Sequence, residues 1–450
     1  MTEESLHLAP VRGKARIDVL DILRGIAILG IFYMNIPFMN GPVPFVMGDI
    51  RQMGWAPADR ATWAVIQTFW EGTQRGLLEY LFGAGAMVLT ARAMRPDGPV
   101  AIADLFYRRM LWLLAFGLID IFLIGWVGDI LHVYALAALF IFPFRKLSAP
   151  VLIALGLLYA TAVGIGWVGG GGVTQYHART EMIEAAHVAQ AKKDAHKVLT
   201  KGEKEALEAW QKKLDVFKGP NAETKKAVAE ERKAHESGPV TLLRWSWKSW
   251  HAVFVKENIS FLSVLEAICG MFLGMALWKL GIIQGDRSAQ FYVILAILAY
   301  GFGMGARAIG VHEIFRWSPA PKTIWITSEF ARLAVSLGHV ALVNLLIRTA
   351  AGRAILSPFK AAGRTAFSLY FLTSLIGIWF IAPSWGLHLW GRLGWADLAL
   401  AATIVVALLL VIANIWSRYF VNGPLEWLWR SLAYCAVQPF RRNGTMGGST

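Results

Sequence analysis

Charged residues are scarce in this sequence. Only 16% of its 450 residues are Asp, Glu, Lys or Arg, whereas soluble domains average about 25%. Hydrophobic residues make up 56% of the chain, and the mean hydropathy is +0.48. So few charges and such long apolar runs predict an integral membrane protein.

The sequence also lacks the motifs of several enzyme classes. Cys269 and Cys435 are far apart, and no HExxH or Cys/His cluster occurs, so we expect no bound metal ion. Neither a phosphate-binding P-loop nor a GxSxG elbow is present, which argues against ATP-driven pumping and serine hydrolase chemistry. We therefore expect no permanently bound cofactor.

The positive charge of the chain is concentrated beside the apolar runs. The net charge is +14; Arg12 and Arg16 precede the first run, and Arg92 and Arg95 follow the second. Loops rich in Lys and Arg alternate with loops that are poor in them, so the positive-inside rule predicts that both termini are cytoplasmic. Membrane orientation thus explains the charge, and we expect no nucleic-acid partner.

Ten apolar stretches approach the roughly 20 residues that a transmembrane helix needs. They lie near residues 19–39, 72–93, 105–124, 127–144, 149–168, 259–280, 288–308, 324–348, 365–382 and 396–417. The first stretch lacks a small-residue cleavage site, so we expect it to remain as a membrane anchor. The predicted fold is all-α, a polytopic membrane bundle of about ten helices.

A polar segment at about 174–258 divides the ten stretches into five and five. We predict three regions: an N-terminal bundle (1–173), a helical extracytoplasmic insert (174–258) and a C-terminal bundle (259–450). Within the insert, "GPNAE" is typical of a turn followed by a helix start. "SGPVTLLRWSWKSWHAVFV" combines tryptophans with basic residues, which favours a helix at the membrane interface.

Polar residues inside the apolar stretches are the candidate functional residues, because ionisable groups at membrane depth are costly and usually face the protein interior. By estimated depth they form an outer layer, an inner layer and one central residue. The outer layer contains Asn35, Glu79, Asp120, Asp129, His132, Glu266, Glu329 and Arg332; the inner layer contains Asp21, Arg24, Arg364, Ser368 and Tyr370; the central residue is His339.

Two pairs in the outer layer have the i, i+3 spacing that brings side chains together on a helix. Asp129 could orient the imidazole of His132, and Glu329 could neutralise Arg332. The carboxyl groups of Glu79 and Glu266 have no local partner, so each needs one on another helix. A purely structural role for these polar residues stays open as the alternative. Arg24 could extend to the lipid headgroups beside Asp21, and a lone amide or imidazole could join two helices by a hydrogen bond.

Small residues recur where helices could approach closely. "FGAGAMV" contains Gly83, Ala84, Gly85 and Ala86, and "GMFLGMAL" contains Gly270 and Gly274 four residues apart. Such spacing is typical of tightly packed membrane helices.

Seven motifs occur along the chain in the following order: "RIDVLDILRGIAILGIFYMN", "YLFGAGAM", "RRMLWLLAFGLID", "GDILHVYALAALFIFPFRKLS", "GMFLGMALWKLGI", "AAGRTAFSLYFLTSLIG" and "GPLEWLWRSLAY". Together they resemble the YeiB-like family of bacterial inner-membrane proteins, a family of unknown function. That family is distantly similar to acyltransferase type 3 enzymes and to heparan-alpha-glucosaminide N-acetyltransferase. The resemblance implies transfer of an acyl group from cytoplasmic acyl-CoA to a small extracytoplasmic or membrane acceptor.

The resemblance also implies roles for particular residues. Arg24 corresponds to the arginine of the relatives' first span and would bind CoA phosphate or the thioester oxygen, while Asn35 would donate to an oxyanion. The relatives' loop histidine has no counterpart, because no histidine lies between His7 and His132. His132, oriented by Asp129, is the expected replacement base.

Three functions remain open at this point. The first is an acyltransferase whose catalytic residues are His132, Asp129 and Asn35. Its substrate-binding residues would be Arg24, Glu79, Asp120, Glu266, His339, Arg364, Ser368 and Tyr370. The second is a small-metabolite transporter or exporter. The third is a membrane scaffold that binds a partner through its insert, and we also leave open that the chain forms a homodimer in the bilayer.

Overall fold

The computed structural model describes residues 18–91 and 100–442. Within these two ranges the chain is helical and contains no β-strand; extended pairing is limited to one bridge between Phe420 and Arg441. The all-α prediction is therefore confirmed. The basic residues Arg12, Arg16, Arg92 and Arg95, on which part of the predicted orientation rests, lie outside the described residues.

Eight α-helices of the described chain precede the insert. They are α1 (Asp18–Gly30), α2 (Phe32–Asn40), α3 (Val43–Val46), α4 (Pro57–Phe69), α5 (Thr73–Thr90), α6 (Val100–Ile119), α7 (Leu131–Ile141) and α8 (Ala149–Ile165). A π-helical segment (Asp120–Ile124) extends α6, and a 3-10 segment (Phe142–Lys146) extends α7. Helix α8 ends at Gly166, whose φ of +91° favours glycine.

The polar insert is helical, as its composition predicts. It contains α9 (Gly172–Asp194), α10 (Lys201–Asp215), α11 (Ala222–Glu236) and α12 (Pro239–Trp250), and a π-helical segment (His251–Lys256) extends α12. The predicted helix start at "GPNAE" is confirmed, because the Asn221 side chain accepts a hydrogen bond from the Thr224 amide at 2.8 Å.

Seven α-helices follow the insert. They are α13 (Ile259–Lys279), α14 (Ala289–Phe315), α15 (Ile324–Leu346), α16 (Ala350–Arg364), α17 (Ala366–Leu375), α18 (Trp395–Tyr419) and α19 (Pro424–Tyr434). A π-helical segment (Ile376–Ile381) extends α17. Thr349 caps the start of α16 by accepting a hydrogen bond from the Gly352 amide at 3.0 Å.

Five helices of the described chain are long and apolar enough to cross a membrane. They are Asp18–Asn40, which joins α1 and α2, together with α13, α14, α15 and α18. The pair α16 and α17 provides a sixth crossing if this helix pair, bent by 78°, is one span. Every one of the ten predicted stretches overlaps a helix. The membrane-protein prediction is thus supported, while the count of ten crossings stays a prediction.

Glycine allows two helix pairs to approach closely. A Cβ on Gly274 of α13 would lie 2.2 Å from the carbonyl oxygen of Tyr80 on α5, and one on Gly83 would lie 2.0 Å from that of Met271. At the α1–α16 contact, a Cβ on Gly363 would lie 1.8 Å from the Asp21 carbonyl oxygen. The predicted close packing through Gly83 and Gly274 is therefore confirmed.

The insert is docked onto the bundle through α11. The Val43 amide donates to Glu231 Oε2 at 3.1 Å, and the His235 imidazole stacks on Trp390 with the ring centroids 5.0 Å apart. The Ser384 amide also donates to the His235 carbonyl oxygen at 3.1 Å. Because Glu231 and His235 lie four residues apart, they share the face of α11 that meets the bundle. We refer to this side of the bundle as the insert side.

Burial shifts both titratable groups of this contact towards their neutral forms. Desolvation raises the pKa of Glu231 to about 8, although the hydrogen bond from the Val43 amide opposes the shift. Desolvation lowers the pKa of His235 to about 3. The docked insert therefore favours a protonated Glu231 and an uncharged His235.

We predict that Gly274→Ala destabilises the protein by about 1–3 kcal/mol, because the new methyl group forces the backbones of α5 and α13 apart. Gly305→Ala is the matched control, since nothing lies within 4 Å of a Cβ at Gly305 in α14. Thermal unfolding in detergent should show a lower Tm for the first variant and an unchanged or raised Tm for the second. Equal Tm values for the two variants would contradict the close contact.

We predict that the docking of α11 weakens at both ends of the pH scale. The stability that protonated Glu231 contributes is complete below pH 4.5 and is lost as the pH rises to about 8. The stability that neutral His235 contributes is complete above pH 6.5 and is lost as the pH falls towards 3. The measurement is hydrogen–deuterium exchange of residues 222–236 between pH 4 and 9, corrected for intrinsic exchange rates.

Two variants separate these pH effects. Glu231→Gln keeps an acceptor for the Val43 amide and should abolish the loss of protection at alkaline pH only. His235→Phe keeps the ring stacking on Trp390 and should abolish the loss at acidic pH only. An alkaline loss that persists unchanged in Glu231→Gln would show that another group titrates.

Candidate functional site

A cavity of about 380 Å³ lies among α1, α5, α6, α7, α16, α17 and α19. Its volume is within the range of small-molecule binding sites. Polar residues line one end; they are Asp21, Arg24, Arg109, Arg364, Glu426, Arg430 and Tyr434. The side chains of Arg24 and Arg364 are 35% and 22% exposed, whereas Tyr370 elsewhere in the lining is fully buried, so the cavity opens at its arginine end.

The arginine end carries an excess of positive charge. Asp21 bridges two of the arginines: its Oδ1 lies 3.2 Å from Arg24 Nη1 and its Oδ2 lies 3.5 Å from Arg364 Nε. The guanidinium of Arg109 lies 4.3 Å from the ring centroid of Trp429. Four arginines thus face two carboxylates around one opening. Guanidinium groups provide several fixed donors, so this end suits an anionic group such as phosphate.

Glu426 fixes the start of α17, where the chain bends after α16. Its Oε1 accepts hydrogen bonds from the backbone amides of Phe367 at 2.6 Å and Ser368 at 3.3 Å, and its Oε2 accepts one from the Ser368 hydroxyl at 2.6 Å. The carboxylate thus occupies the positive end of the α17 dipole. Ser368 also accepts a hydrogen bond from the Leu425 amide at 3.0 Å. The structure therefore places Ser368 beside the cavity, in the α17–α19 contact.

The rest of the cavity is mainly apolar. Its lining residues include Ile28, Leu78, Leu81, Phe82, Leu113, Leu131, Ala138 and Ile141. Tyr370 is the polar residue that the cavity meets beyond this apolar part. The arrangement suits an elongated ligand with an anionic head and an apolar chain.

Tyr370 connects the cavity to the predicted acid–histidine pair. The Tyr370 hydroxyl donates to Asp129 Oδ1 at 3.2 Å and accepts a hydrogen bond from the Ile130 amide at 3.1 Å. Asp129 Oδ2 lies 2.8 Å from His132 Nδ1. The predicted contact between Asp129 and His132 is therefore present. The sequence placed Tyr370 in the inner layer, but its long side chain reaches the outer one.

Asp120 lies beside this hydrogen-bonded chain. Its Oδ2 accepts a hydrogen bond from the Ser374 hydroxyl at 3.3 Å, and its carboxyl group interacts with that of Asp129. Asp120 is fully buried. Two buried carboxyl groups therefore flank the His132 side of Tyr370.

Arg332 holds three glutamates in a separate buried cluster. Its Nη1 donates to Glu79 Oε2 at 2.9 Å, its Nη2 lies 3.0 Å from Glu266 Oε1, and its Nε donates to Glu329 Oε2 at 2.9 Å. Arg75 adds a second contact to Glu266 Oε1 at 3.0 Å. The predicted pair of Glu329 and Arg332 is confirmed, and so is the expectation that Glu79 and Glu266 find partners on other helices.

Glycines make room for this cluster. A Cβ on Gly270 would lie 2.0 Å from Glu79 Oε2, and a Cβ on Gly76 would lie 3.0 Å from Arg332 Nη1. The cluster therefore joins α5, α13 and α15 where glycines leave room for its side chains. Glu79 and Glu266 do not line the cavity, and their role as substrate-binding residues stays a prediction.

Two other candidate residues lie away from the cavity. Asn35 is buried in α2 and its Nδ2 has no hydrogen-bond partner in residues 18–91 and 100–442, but it does not line the cavity. His339 Nδ1 lies 2.9 Å from the Val335 carbonyl oxygen and 3.3 Å from the Tyr300 hydroxyl, in the α14–α15 contact. The structure thus brings Arg24, Arg364 and Tyr370 together, and leaves Asn35 and His339 apart from them.

Sequence reasoning missed several residues of these sites. Arg75 precedes Glu79 by one helical turn, a spacing that could have identified it. Arg109 lies in the "RRMLWLL" motif, and Glu426 and Arg430 lie in "GPLEWLWR". The charge of these residues within otherwise apolar motifs was the available signal.

The C-terminal part of the chain matches a family that is described as "Protein of unknown function (DUF418)", over residues 277–436. Uncharacterized protein YxaH of Bacillus subtilis (strain 168) is 27% identical over 441 residues, which cover 97% of this chain and 98% of the relative. Uncharacterized protein YeiB of Escherichia coli (strain K12) is 24% identical over 428 residues, which cover 93% and 97%. No solved structure matches this chain.

We predict that Arg332→Met destabilises the protein by about 3–5 kcal/mol, because it leaves buried carboxylates without their main partner. Adding Glu79→Gln should recover part of the loss, since one of these carboxylates is then removed. Arg418→Met, an exposed arginine at the end of α18, is the control. Unfolding midpoints in detergent provide the measurement, and an Arg332→Met midpoint equal to that of the control would contradict the role of the cluster.

Proposed function

We propose that this chain, which resembles the YeiB-like family and matches the DUF418 family over residues 277–436, is a membrane acyltransferase. The donor would be acyl-CoA from the cytoplasmic side, and the acceptor a small molecule with a hydroxyl or amino group. The observation that carries the proposal is one cavity that runs from four arginines, through an apolar lining, to Tyr370, which is hydrogen-bonded to Asp129.

The arginine end suits the phosphates of CoA. Arg24 and Arg364 already share the carboxylate of Asp21, so their side chains are held in place before a ligand binds. Such preorganisation lowers the entropic cost of binding. On the orientation that the sequence predicts, this end faces the cytoplasm, where acyl-CoA is present.

The apolar lining lies between the arginines and Tyr370, so it would hold the pantetheine arm that joins the phosphates of CoA to the thioester. A thioester that extended along the cavity would bring its carbonyl carbon towards Tyr370, whose hydroxyl would shift its hydrogen bond from Asp129 to the developing oxyanion. This is the role that the resemblance implies for Asn35, which lies outside the cavity. We therefore assign oxyanion stabilisation to Tyr370.

His132 would act as the general base in this reaction. The acceptor's oxygen or nitrogen attacks the thioester carbonyl carbon, and its proton passes to the imidazole Nε2. The carbon–sulfur bond then breaks, and the CoA thiolate takes up a proton as it leaves, which restores the neutral imidazole. Asp129 holds the ring by its contact with Nδ1 and stabilises the imidazolium that forms during the step.

A transporter is the second candidate, and the bend between α16 and α17 favours it. The two helices meet at an angle of 78°, and the start of α17 lies beside the cavity. Discontinuous helices with their N-termini at a central site are typical of secondary transporters. The site on the arginine side of such a transporter would accept a small anion without requiring CoA.

We predict that the purified protein binds palmitoyl-CoA, and that Arg24→Gln or Arg364→Gln weakens this binding about tenfold or more, as expected for the loss of a charged hydrogen bond. The control is Arg418→Gln, which removes an exposed charge outside the cavity and should leave Kd unchanged. Titration calorimetry in nanodiscs gives the affinities.

Three results would decide between the candidates. Selective weakening in the two cavity variants supports the acyl-CoA site. Equal weakening in Arg418→Gln would show that binding reflects general charge attraction. No binding of palmitoyl-CoA by the parent protein would contradict the acyltransferase and favour transport.

A further inference from the structure

The insert covers the side of His132 that faces away from the cavity. The ring centroid of His132 lies 6.1 Å from that of Trp250 in α12 and 5.9 Å from that of Phe254 in the following π-helical segment. Phe122 packs edge-on against Trp250 at 5.4 Å. An aromatic cover contributed by the insert thus closes the insert side of the imidazole, and His132 is only 3% exposed.

Three buried polar atoms around this cover have no hydrogen-bond partner in the described chain. They are His132 Nε2, Trp250 Nε1 and Asp120 Oδ1. An unsatisfied buried polar group costs about 1–3 kcal/mol. The three atoms here belong to side chains that are connected through Asp129 and His132. Asp129 contacts His132, its carboxyl group interacts with that of Asp120, and Trp250 packs on the same imidazole. The cluster has the character of a binding site whose ligand supplies the missing hydrogen bonds.

The three atoms define the chemistry of that ligand. Trp250 Nε1 can only donate, Asp120 Oδ1 accepts when the carboxyl group is ionised, and His132 Nε2 takes either role according to its tautomer. A hydroxyl group both donates and accepts, so a molecule with several hydroxyl groups can satisfy all three. The faces of Trp250 and Phe254 suit an apolar side of the same molecule.

The segment that forms the cover is bounded by unusual backbone conformations. Gly238 precedes α12 with a φ of +111°, and Asn258 follows the π-helical segment with a φ of +55°. Between them, α12 contacts the bundle through the indole of Trp247, which donates to the Phe122 carbonyl oxygen at 2.8 Å. Residues 239–257 therefore lie between two points where the chain turns sharply, and hinges are positions of this kind, at the ends of an element.

We propose that the space between His132 and α12 is a second binding site, reached from the insert side when α12 moves away, for a neutral molecule with several hydroxyl groups and one apolar face. If the proposed function is right, this is the acceptor site, because the base His132 lies between it and the acyl-CoA cavity. The assignment as acceptor site rests on that function; the site itself does not.

The first test locks α12 in place. A Cβ on Gly125 would lie 3.5 Å from Ser246 Cβ, a separation that suits a disulfide. The double variant Gly125→Cys/Ser246→Cys is made in a background in which Cys269 and Cys435 are replaced by serine. Diethyl pyrocarbonate, which reacts with neutral imidazole nitrogens, is added to the protein in nanodiscs, and peptide mass spectrometry measures modification of His132.

We expect His132 modification to fall at least tenfold in the oxidised double variant and to return after reduction with dithiothreitol. The two single-cysteine variants control for strain at Gly125, whose φ is +85°, and they should react like the cysteine-free parent. Equal modification in the oxidised and reduced states would overturn entry beneath α12. So would a parent protein in which His132 does not react at all while exposed His196 does.

The second test addresses the ligand. Methyl glucoside, a neutral polyol with an apolar face, should slow His132 modification in the parent protein, whereas sodium glycerophosphate at the same concentration should not. Protection by glycerophosphate alone would overturn the ligand class, and so would an absence of protection by either compound. Because neither test contains acyl-CoA, its outcome is independent of the palmitoyl-CoA titration that tests the proposed function.

Discussion

The hydrogen bond between Tyr370 and Asp129 joins residues that are 241 positions apart in the sequence. It connects α17, which follows the insert, to the residues before α7, which precede the insert, at a buried point where neither group can exchange its partner for water. One end of the connection is the cavity lined by arginines, and the other is His132 beneath the insert. The functional proposal depends on this contact, because it is the route by which a ligand in the cavity influences the imidazole.

The surrounding structure closes this region and keeps its charged groups paired. Arg332 gathers carboxylates from three helices, and Glu426 occupies the start of α17, so neither cluster exposes an uncompensated charge to lipid. The insert adds the last element, because its aromatic residues cover His132. A membrane protein that separates two substrates needs such closure on both sides of the reacting groups.

The sequence predicted much of this because local spacing determines local contacts. The Asp129–His132 and Glu329–Arg332 contacts follow from an i, i+3 separation, and the packing at Gly83 and Gly274 follows from the small-residue pattern. The requirement that Glu79 and Glu266 find partners was also predictable, since desolvation forbids isolated charges. The identity of those partners was not, because it depends on which helices become neighbours.

The depth of a residue in the membrane and the direction of its side chain were the least predictable properties. Tyr370 was assigned to the inner layer from its position in an apolar stretch, but the bend after α16 and the length of the side chain bring its hydroxyl to Asp129. The family resemblance implied that Asn35 donates to an oxyanion in the same reaction in which Arg24 binds CoA. The helix runs past the cavity, however, so only Arg24 lines it. Glu426 was quoted within a motif and given no role, because its partners lie 58 and 59 residues away.

The most direct test of the central claim is a cryo-electron microscopy map of the protein with a non-hydrolysable ketone analogue of palmitoyl-CoA, in which a methylene group separates the sulfur from the carbonyl carbon. We expect density for the phosphates beside Arg24 and Arg364, density for the pantetheine arm along the apolar lining, and the carbonyl group next to the Tyr370 hydroxyl. An analogue bound outside this cavity, or a map in which the cavity stays empty while the analogue is in excess, would contradict the account.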